Sequence, residues 1–258
     1  MMCEYVGVTL LRAMRLPAAV VAAVAALVIG PMPLAATQPG PPPGPPDPGY
    51  GIGQIPGPPT SVARPPVVTP TSQCPDIEVI FARGTDDTPG LGTPGTAFVN
   101  ALRAQTGGRN VTAYAVDYPA SYDFLAAADG AADATNRVAL MSQQCPSTRI
   151  VLGGYSQGAA VMDMLAGVPP LGNKIGSIGS APPLPGSLHR NIAAVVVFGN
   201  PAAKFDNPIT SSVFAGRAID LCKDGDPICS GGRNPFAHND YVSAGLIQQG
   251  ADFAAGLV

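Results

Sequence analysis

Gly154-Tyr155-Ser156-Gln157-Gly158 fits the pattern G-x-S-x-G and follows directly on the apolar run Ile150-Val151-Leu152. A serine used as a nucleophile is carried on a sharp strand-to-helix turn, exposed above a sheet. Glycines two positions to either side let strand and helix approach without a Cβ between them. Ala159 and Ala160 then open a helix, and the N–H groups at its start face a developing oxyanion. The chemistry this spacing suggests is acyl transfer through a covalent serine intermediate.

A serine hydroxyl at its ordinary pKa is a weak nucleophile and needs an adjacent base. The chain has two histidines, His189 and His238. Where serine, acid and histidine follow one another in that order, His238 is the base, because it lies after every plausible acid. His189, in Leu188-His189-Arg190-Asn191, reads as an ordinary surface residue. The acid should follow a late strand, and Cys222-Lys223-Asp224-Gly225-Asp226-Pro227-Ile228-Cys229 supplies two aspartates there. Spacing alone does not separate Asp224 from Asp226, and Asp220 is a weaker third choice inside the strand. The oxyanion needs two donors: the N–H of Gln157, directly after the nucleophile, and a group from the loop after the first strand, where Thr85 offers both N–H and hydroxyl.

The elements that would bring these residues together are short apolar runs alternating with helical segments. Strands are expected at residues 77–83 (IEVIFAR), 111–116, 149–153 (RIVLG), 193–198 (AAVVVF) and 217–221. Helices are expected from near Thr93 to Gln105, from Tyr122 to Gln144, from Gln157 to Ala166, and from about Tyr241 to Ala255. This alternation predicts an α/β fold with a parallel sheet covered on both faces.

The 258-residue chain has a net charge of −3, with 46 % hydrophobic and 12 % charged residues. It has no lysine- or arginine-rich run, which excludes a nucleic-acid binder. Arg12 and Arg15 precede an apolar run of about 14 residues, Leu16 to Ile29, and small residues follow at Ala35 and Ala36. Residues 1–36 therefore read as a secretory signal peptide, the run being short for a transmembrane helix. Residues 37–72 are rich in proline and glycine and read as an extended linker. Residues 73–258 remain, about 185 positions, enough for one domain with a sizeable core. Of the five cysteines, Cys3 precedes the apolar run, and Cys74, Cys145, Cys222 and Cys229 belong to the domain. An even count in an exported chain implies disulfides, with three connectivities open; proximity favours Cys222–Cys229. Metal binding is disfavoured, since no CxxC spacing and no neighbouring histidine are present.

Four blocks together resemble the cutinase family in its actinobacterial, cutinase-like branch: Phe81-Ala82-Arg83-Gly84-Thr85, Gly154 to Ala159, Gly225-Asp226-Pro227-Ile228-Cys229, and His238 followed by Tyr241. The resemblance implies a small α/β-hydrolase, a three-layer sandwich around a five-stranded parallel sheet with no large lid. It implies disulfides Cys74–Cys145 and Cys222–Cys229, Asp226 as the acid, and Thr85 and Gln157 at the oxyanion. The implied activity is that of a secreted, monomeric serine esterase that needs no metal or organic cofactor. It would cleave ester bonds of lipid or cutin-like substrates, in peripheral contact with cell-envelope or lipid surfaces. A phospholipase or thioesterase on the same triad, and a non-catalytic lipid-binding protein, are the alternatives. The loop of residues 85–93 and the proline-rich stretch of residues 181–186 depart from the family pattern. Leu184 and Phe236 are, by position, candidates for the acyl groove.

Overall fold

The structure, a computed structural model, describes residues 74–171 and 178–258. The expected signal peptide and linker lie outside the described residues. The strands are β1 (Ile77–Ala82), β2 (Val111–Ala115), β3 (Arg149–Tyr155), β4 (Ile192–Phe198) and β5 (Ala218–Leu221). They form one sheet in the order β2-β1-β3-β4-β5, with every neighbouring pair parallel. The helices are α1 (Gly92–Gln105), α2 (Ala127–Gln144), α3 (Gln157–Leu165) and α4 (Leu246–Ala255).

Every residue of β1 and β4 is buried, but successive side chains enter two different cores. Val79, Phe81, Val196 and Phe198 pack against Phe98, Val99 and Leu102 of α1 and Ile247, Ala251 and Ala254 of α4. Ile80, Ala82, Val195 and Val197 pack against Ala131, Ala134 and Val138 of α2 and Val161, Met162 and Leu165 of α3. Burial on both faces explains why the strands read as unbroken apolar runs rather than as alternation. Disulfide Cys74–Cys145 ties the segment before β1 to the end of α2, and Cys222–Cys229 closes the loop after β5. With loops closed over separations of 71 and 7 residues, chain entropy assigns them up to about 4.5 and 2.5 kcal/mol.

Two helices start later than their sequence pattern suggests. Residues 124–126 form a short 3-10 helix before α2, capped by the Asp123 carboxylate, which accepts the Leu125 N–H at 3.3 Å. The stretch from Tyr241 to Gly245 is a chain of turns, and α4 begins only after Gly245, whose φ of +76° no helix accommodates. The periodicity runs back to Tyr241 because that side chain is buried, but it is buried for a different purpose.

A polar cluster lies inside the α3 side of the sheet. Asn200 Nδ2 donates to Asp163 Oδ1 at 3.2 Å and to Asp220 Oδ2 at 2.9 Å. Asp163 Oδ2 and Asp220 Oδ1 have no protein partner among the described residues. Burial, reinforced by Asp220, raises Asp163 well above the ordinary carboxylate range despite the bond from Asn200. Burial likewise pushes Asp220 up to about 6 against the bonds from Asn200 and Ile209. A carboxyl raised in the fold keeps its proton longer than in the unfolded chain. Its contribution to stability therefore falls as pH climbs above the unfolded value of 3.8, and for Asp220 the fall is complete above about 6. Asp163→Asn, which mimics the protonated acid, is expected to melt about 2–4 °C above the parent near pH 8, equivalent to about 1 kcal/mol in a domain of this size. The gap should close toward pH 4. Thermal melts across that range check this, and a gap independent of pH would refute a protonated Asp163.

Candidate active site

The loops that leave the carboxyl ends of β1, β3, β4 and β5 meet on one edge of the sheet. β2 and β3 lie on opposite sides of β1, so the chain reverses its direction of travel across the sheet between β1 and β3. Open α/β sheets place ligands at such a switch point.

Ser156 sits at the corner between β3 and α3, with φ +54° and ψ −116°. A non-glycine residue with positive φ stores about 1–3 kcal/mol of strain, tolerated where the surroundings dictate it. Here the Ser156 N–H donates to the Phe198 carbonyl of β4 at 2.9 Å, and the Ser156 carbonyl accepts from Ala159 at 2.9 Å. The flanking glycines are forced by contact. A Cβ on Gly154 would run into the Gly158 carbonyl, and one on Gly158 into the Ala82 carbonyl of β1. No other side chain permits so tight a turn.

His238 lies in a 3-10 helix, Pro235–Asn239, capped by the Asn234 side chain, which accepts the Phe236 N–H at 3.1 Å. Its Nε2 is 2.8 Å from Ser156 Oγ, and its Nδ1 is 2.7 Å from Asp226 Oδ2. The imidazole stacks on the Tyr155 ring at 5.0 Å, and the Tyr155 hydroxyl donates to the His238 carbonyl. Asp226 is fully buried in the loop closed by Cys222–Cys229. Burial pushes its carboxyl up. The hydrogen bonds from His238, Tyr241 and the Ile228 N–H outweigh that and hold it below the ordinary value, so it is ionised at neutral pH. The carboxylate thus presents its charge to Nδ1, leaving Nε2 as the acceptor for the serine proton.

On the β1 side, Arg83 donates to the carbonyls of Tyr118 and Pro119 at 2.8 and 3.1 Å, and the Tyr118 hydroxyl donates back to the Arg83 carbonyl. The next turn is closed by Asp87, whose Oδ2 accepts the Gly84 N–H at 3.0 Å. Burial pushes the Asp87 carboxyl up, with Gly84, Arg83 and His238 opposing. These contacts hold Thr85 beside the head of α3, where its hydroxyl donates to Gln157 Oε1 at 3.3 Å. The Gln157 amide in turn donates to the Ser121 carbonyl at 3.2 Å. Gln157 is the first residue of α3, next to Ser156, so its backbone N–H has no intrahelical acceptor.

Ser156, Gln157, Thr85 and His238 line a cavity of about 700 Å³. Its apolar wall comes from Tyr122, Phe124, Leu171, Ile178, Ile228 and Val242. The departing loop of residues 85–93 does border this cavity, through Thr85, Asp87 and Thr93. Leu184 does not. It is 2 % exposed, packed in the core with its N–H donated to the Leu165 carbonyl. Phe236 is 79 % exposed and turns toward a separate depression beside Lys223 and Asp240. The three rejected candidates for base and acid have other partners. His189 Nε2 lies 2.9 Å from the Leu184 carbonyl with its ring against Phe214. Asp220 belongs to the Asn200 cluster, and Asp224 is exposed. Tyr155 and Tyr241, which grip the base and the acid, stand inside the blocks that carry the family resemblance, but their types and spacing suggest no role by themselves.

The cutinase family model matches residues 73–258. The chain belongs to the cutinase family. It is 45 % identical over 202 residues to a phospholipase, Culp4, of Mycobacterium tuberculosis, covering 77 % of this chain and 86 % of the relative. A carboxylesterase of the same organism, Culp1, is 42 % identical over 191 residues, covering 70 % and 81 %. Among solved structures, Trichoderma reesei cutinase in complex with a phosphonate inhibitor superposes with a TM-score of 0.57 at 32 % identity, covering 71 % of this chain and 77 % of that one. An acetyl xylan esterase superposes with a TM-score of 0.61 at 29 % identity, covering 71 % and 99 %. This cutinase-family chain is an α/β-hydrolase and a carboxylic ester hydrolase. Among its described residues, no helix is long and apolar enough to cross a membrane.

Proposed function

We propose that the protein hydrolyses carboxylic esters of lipid type through a covalent acyl-enzyme, with Ser156 as nucleophile, His238 as general base and Asp226 as the acid that orients it. The observation that carries this reading is the unbroken path from Ser156 Oγ to His238 at 2.8 Å and on to Asp226 at 2.7 Å. His238 takes the serine proton as Oγ attacks the ester carbonyl. The tetrahedral oxyanion rests on the N–H of Gln157 and on Thr85, whose hydroxyl rotates off Gln157 Oε1 to reach it. The imidazolium then protonates the leaving alcohol as the C–O bond breaks. Water, deprotonated by the same imidazole, attacks the acyl-enzyme and releases the acid. The protein acts as a monomer with no added cofactor. Two disulfides support export to an oxidising compartment.

The apolar cavity wall supports a substrate with an acyl chain rather than an acetyl group or a peptide. Each buried methylene is worth about 0.8 kcal/mol, or about fourfold in kcat/KM while the groove fills. A series of p-nitrophenyl esters from acetyl to decanoyl should therefore rise steeply over its first members. Highest activity on acetyl, or cleavage of a peptide at a comparable rate, would overturn the assignment. Phospholipid is the second substrate class to test. Tyr122, Phe124, Ile228 and Val242 stand exposed around the cavity, as an enzyme drawing its substrate from a lipid surface requires, and one relative bears the name phospholipase. Release of fatty acid from phosphatidylcholine vesicles distinguishes it from soluble-ester hydrolysis.

A further inference from the structure

Asp226 receives more hydrogen bonds on one oxygen than holding an imidazole requires. Oδ1 accepts the Ile228 N–H at 2.7 Å. Oδ2 accepts from His238 Nδ1 at 2.7 Å and, at the same distance, from the Tyr241 hydroxyl. Tyr241 is 1 % exposed, its ring set edge-on to those of Tyr155 and Phe198. Its oxygen accepts the Lys223 N–H at 3.1 Å and touches Cys229 Sγ, which carries no proton in the disulfide. With its acceptor side taken by Lys223, the phenol proton is directed at Asp226.

We propose that Tyr241 is a positioning residue for the acid–base pair: it fixes Asp226 Oδ2 against His238 Nδ1 and draws off part of the charge that would otherwise hold a proton on the imidazole. This deepens the reading of Ser156, His238 and Asp226 and rests on it. Two hydrogen bonds to one carboxylate oxygen divide its charge, so each donor feels less of it. Without the phenol, Oδ2 serves the imidazolium alone and stabilises it further. The base then sheds its proton at a higher pH. The other titratable groups facing the pair are Asp87 on the turn after β1 and Tyr155 on β3. Both stay in place when only the Tyr241 hydroxyl is altered.

The test is the pH dependence of kcat/KM on a p-nitrophenyl ester between about pH 4.5 and 9. Tyr241→Phe is expected to move the midpoint of the acidic limb up by about half to one pH unit, the size of one charge-assisted hydrogen bond. Its high-pH plateau should fall by less than about tenfold. Because Tyr241→Phe also leaves the Lys223 N–H without its acceptor, a second variant keeps the hydroxyl. Site-specific 3-fluorotyrosine at position 241, a stronger donor, should move the midpoint down. Tyr155→Phe loses only the bond to the His238 backbone, so its plateau should fall with the midpoint in place. A midpoint that stays put in both Tyr241 variants overturns the inference, whatever the plateaus do. A wild-type profile with no acidic limb would instead overturn the base assignment itself, so the two failures are distinguishable.

Discussion

Ser156→Ala is expected to lower kcat on a p-nitrophenyl ester by about 10⁶, the loss found when a serine, histidine and aspartate act as one unit. Among the described residues, the Ser156 hydroxyl is the only group hydrogen-bonded to His238 Nε2, so the base has no second nucleophile to activate there. The donors at Thr85 and Gln157 survive the substitution, so a residual rate about 10³ to 10⁴ above the uncatalysed one should remain. Binding of substrate should be nearly unchanged, because the apolar wall is untouched. Steady-state kinetics, with far-UV circular dichroism to show an intact fold, check the result. Wild type should also take up one equivalent of a serine-directed phosphonate and Ser156→Ala none. Retention of more than a tenth of the wild-type rate would remove Ser156 from the mechanism, whereas wild type that takes up no phosphonate would favour the non-catalytic lipid-binding reading.

Asp226→Asn should cost about 10⁴ in kcat near pH 7, from the wrong imidazole tautomer rather than lost packing. The local hydrogen bonds give the reason. Oδ1 faces one donor, the Ile228 N–H, and Oδ2 faces two, His238 Nδ1 and the Tyr241 hydroxyl. Whichever way an asparagine turns, its NH₂ meets a donor. Turned toward His238, it forces the proton from Nδ1 to Nε2, and Nε2 then donates to Ser156 Oγ instead of accepting from it. Turned toward Ile228, it opposes a buried N–H, an arrangement worth about 1–3 kcal/mol of destabilisation. Asp224→Asn, two positions earlier and exposed, is the matched control and should stay within about threefold of wild type. Equal losses in the two variants would mean that the loop, not the Asp226 carboxylate, is what the reaction needs.

The contrast between Asp224 and Asp226 is not encoded in local sequence. Both aspartates precede Cys229 in a turn-rich loop, and nothing in their spacing distinguishes them. Resemblance to a family chose Asp226, and the fold supplies the physical basis for that choice. Gly225, with φ +88°, turns the chain between the two carboxylates, sending one to solvent and the other beneath His238. The lining of the cavity is not written in local sequence either. Leu184 and Phe236 are apolar and near motif residues in the chain, but one is in the core and the other faces a different depression. The wall comes from residues 122 and 124 before α2 and from 228 and 242 on the far side, which no local pattern unites. The Asn200 cluster has no sequence signature, since Asp163 and Asp220 are 57 positions apart and look like ordinary helix and strand residues.

Unaided, the chain of residues determined the five strands, because burial on both faces demands continuous apolar runs. It also determined the nucleophile corner, because the clashes at positions 154 and 158 admit only glycine. These are short-range constraints, written in neighbouring residues. Tertiary structure alone decided which carboxylate meets the imidazole, which tyrosines hold the pair, and where an acyl chain would lie. Each of those is a contact between segments whose directions depend on loop torsions and on the packing of two cores, and such directions leave no periodic trace in the sequence.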